Sequence, residues 1–165
     1  MPRLLPTLAA LAVLAVPAAT LAEEIVRTPV PDFPISAAVV VPPGAELVYL
    51  SGAVPPVADT AAPKDSVQRY GDTETQTLNV LKRIEQTLAA QGLGFKDIVS
   101  MHVFLVGDPA TENRMDFAGM MRAYTRHFGT PEQPNKPART TVQVAGLAAP
   151  GMLVEIEVVA ARVRQ

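Results

Sequence analysis

Arg139 sits in the run Pro137-Ala138-Arg139-Thr140-Thr141, and Glu155 and Glu157 follow in Val154-Glu155-Ile156-Glu157. A guanidinium is a rigid planar fork of donors, and it matches a carboxylate with two parallel charge-assisted hydrogen bonds. In a partly desolvated cleft each such bond contributes roughly 1.5–3 kcal/mol, enough to decide which ligands enter. The alternative for Arg139 is a surface or intersubunit ion pair. Glu155 and Glu157 stand two apart, so on a strand they share one face while Val154, Ile156 and Val158 take the other. By itself that pattern describes a solvated strand face. His102 falls mid-strand and His127 near a helix end beside Arg126, positions that suit packing or surface roles. No His, Asp or Glu cluster has metal-ligand spacing. The chain has no cysteine, which removes thiolate catalysis, so no metal or other cofactor is expected. Gly92-Leu93-Gly94 lacks the context of a phosphate loop and reads as a helix stop.

The elements that carry these residues follow from periodicity. Ala37 to Val41 and Glu46 to Ser51 are apolar, β-branched runs separated by Pro42-Pro43-Gly44-Ala45, which predicts a β-hairpin. Gly52 to Gly71, with Pro55, Pro56 and Pro63, is a surface loop. Asp72 or Thr73 caps a helix with Glu74 in its first turn, where the helix dipole favours an acid. Val80, Ile84 and Leu88 recur at steps of four with Leu81 beside them, and that helix stops at Gly92 and Gly94. Asp97 to Val106 alternates in the period-two pattern of a strand. Phe117, Met121, Tyr124 and Phe128 define a second amphipathic helix ending at Gly129. Pro131, Pro134 and Pro137 hold an extended connection, and Thr140 to Val144 and Leu153 to Ala160 are the last strands. The order ββαβαββ, with both helices on one face, makes a two-layer α+β sandwich. Its other sheet face must be solvated or covered by a partner.

The ends and the charge bound the function further. Met1 to Arg3, the apolar run Leu4 to Val16 and the small residues up to Ala22 follow the n-, h- and c-region order of a secretory signal. The run is shorter than the roughly 20 residues of a spanning helix, so an exported, periplasmic or secreted domain is expected, with no membrane association after cleavage. Residues 1–22 are read as the signal, 23–33 as an extended lead-in, 34–162 as a single domain and 163–165 as a tail. The domain length suits one core. With Arg3 removed, 13 basic residues face 16 acidic ones, a formal charge of −3. That balance argues against nucleic acid as a partner.

Leu50-Ser51-Gly52, Gln76-Thr77-Leu78-Asn79-Val80-Leu81, Pro137-Ala138-Arg139-Thr140-Thr141-Val142 and Val154-Glu155-Ile156-Glu157, in that order, resemble the successive signatures of the Rid/YjgF family of reactive-intermediate deaminases. The resemblance spans roughly residues 34 to 162. It implies a chorismate-mutase-like fold assembled as a homotrimer, with a central barrel of sheets, outer helices and three clefts between subunits. It implies further that Arg139 binds a substrate carboxylate and that Glu155 places or deprotonates the hydrolytic water. Ser51 and Thr141 occupy the matching pocket-lining positions, where each hydroxyl either meets the carboxylate or bonds the backbone at a strand end. The implied substrate is a small carboxylated enamine or imine, released as ammonia and a 2-oxo acid. The chain departs from the family pattern at Ala38, Ala53 and Met121, which stand where deaminases carry tyrosine, glutamine and asparagine. A binding protein for small carboxylates and an endoribonuclease are the rival readings.

Overall fold

The computed structural model describes residues 24–163. The expected signal segment, residues 1–22, lies outside the described residues. Helix α1, Thr73–Ala90, begins where Asp72 accepts from the Thr75 amide at 2.8 Å, which satisfies one of the orphan donors of the first turn. It ends at Gly92, whose φ of +69° a side chain would disfavour. There the Leu93 amide donates to the Leu88 carbonyl and the Gly92 amide to Ala89, the two-bond cap that closes a helix through a left-handed residue. Val80, Leu81, Ile84 and Leu88 on its inner stripe are buried. Helix α2, Phe117–Tyr124, is capped by Asp116 through the Gly119 amide and packs on α1. Glu74 of α1 ties the pair by accepting from Arg122 at 2.6 Å and from Arg126.

Six strands form one mixed sheet. They are β1 (Val26–Pro29), β2 (Ser36–Val40), β3 (Glu46–Ala53), β4 (Ile98–Val106), β5 (Ala138–Val144) and β6 (Val154–Arg162), arranged in the order β1-β2-β5-β4-β6-β3. Strand β4 runs parallel to β5 and antiparallel to β6. Its Met101, Val103 and Leu105 meet the helices and are buried, as are Val154, Ile156 and Val158 of β6. The alternate residues Ser100, His102 and Phe104, with Glu155 and Glu157, take the opposite face. On that side of the sheet Tyr49 is 74% exposed and Val142 is 40% exposed, so one chain leaves the face uncovered. This is the expected α+β sandwich of chorismate-mutase type.

Three expectations are corrected. The runs Ala37–Val41 and Glu46–Ser51 are strands but do not form a hairpin: β2 pairs with β1 and touches β5 at Ser36–Ala138, whereas β3 pairs with β6 at the other end of the sheet. Pairing with β6 places Val48 and Leu50 against the core, a gain in burial that a local turn cannot match. The lead-in is extended, as expected, yet contains strand β1, so the order is βββαβαββ. Helix α2 stops at Tyr124 rather than running to Gly129. Beyond it the Arg126 and His127 amides reach back only three residues, to Ala123 and Tyr124, the tighter winding typical of a helix end.

Gln76 explains one stretch of the sequence in structural terms. Its side chain is fully buried, donates to the Gly71 and Gly151 carbonyls at 2.8 and 3.0 Å, and accepts from the Leu153 amide at 2.7 Å. It thereby joins the start of α1 to the loop that enters β6. Gln76→Ala leaves one buried amide and two part-buried carbonyls without this partner, and a loss of about 3 kcal/mol is expected in urea unfolding.

Candidate functional site

Arg139 lies near the start of β5 opposite Met101 of β4, so its side chain leaves the sheet on the helix face. Tyr124, Met121 and Phe117 of α2 receive it there, with Phe33 from the turn before β2. The guanidinium carbon lies 4.3 Å from the Tyr124 ring centre, 5.7 Å from Phe33 and 5.8 Å from Phe117, within the range of cation–π attraction. One guanidinium nitrogen donates to the Met121 sulfur at 3.3 Å, a weak acceptor. No carboxylate pairs with Arg139 among the described residues. Burial lowers its pKa, and Tyr124 partly opposes that shift. The group stays protonated in water, because guanidinium titrates far above neutrality.

The ring that carries this cation is itself fixed. Tyr124 donates to the Pro34 carbonyl at 2.9 Å and stacks on Phe128 at 4.5 Å, which in turn meets Phe95 at 5.3 Å. Burial raises the Tyr124 phenol well above its ordinary range, so it stays neutral. Arg139 thus caps a column of three aromatic rings, an arrangement that holds it in place before any ligand arrives.

Thr141 follows two residues on, opposite Val103 and on the same face as Arg139. Its hydroxyl oxygen is buried without a hydrogen-bond partner, so it is not the backbone-bonded strand residue of the rival reading. Gln143, next on that face, borders a hollow of ≈ 560 Å³ lined also by Met115, Phe117 and Ala118. Phe117 is common to the hollow and to the surroundings of Arg139.

Glu155 stands apart from this group. It pairs in register with Phe104 and projects from the uncovered face, so the sheet separates it from Arg139 within one chain. Its carboxylate lies over Gly52, where an added Cβ would fall 2.0 Å from Oε1. Ser51, exposed in the β3 bulge beside Gly52, belongs to the same neighbourhood. Glu155 and Ser51 have no side-chain hydrogen bond among the described residues. Glu157, by contrast, is held by His102 Nδ1 at 2.7 Å, and His127 packs on Phe95 at 5.1 Å. The structure therefore brings Arg139 to Thr141 and Ser51 to Glu155, and does not bring the two pairs together in one chain.

Of the three departures, Met121 touches Arg139. Ala38 does not: it is exposed in β2 opposite Thr28, and the residue from that segment at the guanidinium is Phe33. Ala53 packs at the edge of the core. Sequence reading missed Phe33; an aromatic residue between Asp32 and Pro34 was the available signal. A hollow of ≈ 890 Å³ lies at the far end of β4. Of its three carboxylates, Asp72 and Asp108 accept backbone amides as caps, and no Lys, Arg or His lines it.

Fold and residue placement define an α+β protein of the chorismate-mutase type with an arginine held on an aromatic column. A family model described as Endoribonuclease L-PSP matches residues 27–162. A RutC family protein of Saccharolobus solfataricus is 30% identical over 134 residues, 81% of this chain and 91% of its own length. Among solved structures, E. coli TdcF with bound serine is 28% identical with a TM-score of 0.53, covering 85% of this chain and 99% of that one. A putative endoribonuclease of Thermotoga maritima is 29% identical with a TM-score of 0.53, covering 82% and 92%. The chain belongs to the Rid/YjgF family.

Proposed function

We propose that the protein hydrolyses small carboxylated enamines and imines to 2-oxo acids and ammonia, in clefts between copies of the chain. The observation that carries this reading is Arg139: a partly buried cation, fixed on an aromatic column, without an acidic partner among the described residues. Buried charges are ordinarily paired, and a ligand carboxylate supplies the missing partner. Arg139 grips the carboxylate after an enamine has tautomerised to its imine. Glu155 accepts a proton from water as the oxygen attacks the imine carbon. That proton passes to the imine nitrogen to give the carbinolamine. The hydroxyl proton then moves by way of Glu155 to the nitrogen as the carbon–nitrogen bond breaks, so ammonia leaves and the carbonyl forms. No oxidant or other reactant enters.

Opposite placement of Arg139 and Glu155 across the sheet favours a shared site, in which Arg139 and Thr141 come from one copy and Ser51 and Glu155 from the next. The uncovered sheet face with exposed Tyr49 and Val142 supports burial in a homotrimer. Export to the periplasm or beyond is part of the proposal and rests on residues 1–22 alone. The test is ammonia release from 2-iminopropionate, generated in situ by an amino-acid oxidase; a rate above the buffer rate is expected, and equality with buffer excludes these substrates. Gly52→Ala provides a finer check, because its methyl group pushes Glu155 aside. A displacement of that size is expected to lower kcat by up to about 100-fold with little change in melting temperature.

A binding protein for small carboxylates is the second reading, favoured by Met121 at a position where deaminases carry asparagine and by the serine bound to the TdcF relative. Saturable binding of a 2-oxo acid without ammonia release would support it. The endoribonuclease reading is disfavoured by the acidic domain and by the separation of His102, on the uncovered face, from His127, beside Phe95.

A further inference from the structure

We infer that this cleft selects carboxylates bearing a bulky apolar substituent and discriminates against small polar ones. The inference rests on Arg139 as the carboxylate anchor and specifies the ligand it takes. A carboxylate approaches a guanidinium in its own plane to form the two-bond fork, and the rings of Phe33, Phe117 and Tyr124 stand 4.3–5.8 Å from the central carbon of Arg139. The substituent on the adjoining carbon then falls among Phe33, Phe117 and Met121. Those three side chains offer no hydrogen-bond donor and only the weakly accepting Met121 sulfur, which Arg139 already uses. Nearby, Thr141 carries an orphan hydroxyl, and the Tyr124 phenol already donates to the Pro34 carbonyl.

A hydroxyl or amine on the substituent would therefore lose its water without gaining a partner, a cost that polar groups pay wherever they are buried unpaired. An alkyl or aryl group in the same place buries apolar surface against two rings. Phe33 and Met121 are accordingly specificity-determining residues. Phe33 supplies the apolar wall from the turn before β2, and Met121 supplies it from α2.

Titration calorimetry of the assembled protein with pyruvate, 3-hydroxypyruvate, 4-methyl-2-oxopentanoate and phenylpyruvate tests this. Affinity is expected to rise at least roughly tenfold from pyruvate to phenylpyruvate, as apolar pockets discriminate by such factors, with 3-hydroxypyruvate no tighter than pyruvate. Phe33→Ala is expected to reduce the phenylpyruvate-to-pyruvate affinity ratio about tenfold, and Met121→Asn to shift the ratio toward 3-hydroxypyruvate. Far-ultraviolet circular dichroism melts of both variants establish that they fold; if one does not, the other carries the test. Equal affinities across the series, or ratios unmoved by a folded variant, overturn the inference while pyruvate binding through Arg139 leaves the anchor standing. If none of the four acids binds, the anchor falls and the selectivity falls with it.

Discussion

Arg139→Ala lowers kcat/KM for imino-acid hydrolysis by at least about 100-fold, because it removes two charge-assisted hydrogen bonds worth roughly 1.5–3 kcal/mol each. The loss reflects missing carboxylate attraction, so binding of 2-oxo acids weakens in parallel. Stability behaves differently. The guanidinium has no acid to leave behind among the described residues, and its neighbours are largely apolar, so the melting temperature is expected to move by only about 2–4 °C, the scale of 1 kcal/mol in a domain of about 150 residues. Arg139→Lys is informative beside it: an ammonium keeps the charge but not the planar fork or the stacking on Tyr124. It is expected to recover only part of the loss. Steady-state kinetics with melting curves checks both variants.

Glu155→Gln produces the second large effect, and in a different parameter. Removing a general base costs on the order of 10²- to 10⁴-fold in kcat, whereas carboxylate binding at Arg139 does not depend on Glu155. KM or ligand affinity should therefore stay close to that of the wild type as kcat falls. Nearby Glu157 is the contrast. It is engaged by His102 at 2.7 Å, and Glu157→Gln is expected to leave turnover within a few-fold of normal, since a glutamine amide oxygen can still accept from His102. A collapse of kcat in Glu157→Gln but not in Glu155→Gln would reverse the assignment.

Much of this arrangement is legible in the residues because it depends on local pattern. Helix α1 combines a capping Asp72, a regular stripe through Val80, Ile84 and Leu88, and a terminating Gly92, so three independent signals agree. Strand β4 announces itself by alternation. The β2–β3 link misleads because Pro42-Pro43-Gly44 between two apolar runs has the composition of a hairpin turn, while the choice of partner is made by β6, far along the chain. Strand β1 is short, proline-ended and at the sheet edge, so its pattern is weak.

The site divides in the same way. Arg139 is conspicuous by its chemistry, and the parity of Glu155 with Glu157 follows from strand geometry. Which face each strand turns toward the helices depends on inter-strand register, Met101 with Arg139 and Phe104 with Glu155, and register is a tertiary property. The separation of the two groups by the sheet, and the approach of Phe33, could not be read from the chain alone. Under the proposed mechanism, that separation means that Arg139 and Glu155 of one site come from different copies.

The most direct test is complementation between two inactive variants. Arg139→Ala and Glu155→Gln chains are co-expressed with different tags, the mixed assemblies are isolated through both tags, and ammonia release is measured against each variant alone. The account predicts that the mixed assemblies regain activity, since an intact Arg139 of one chain can meet an intact Glu155 of another. Active wild type with mixed assemblies as inactive as either parent would contradict it.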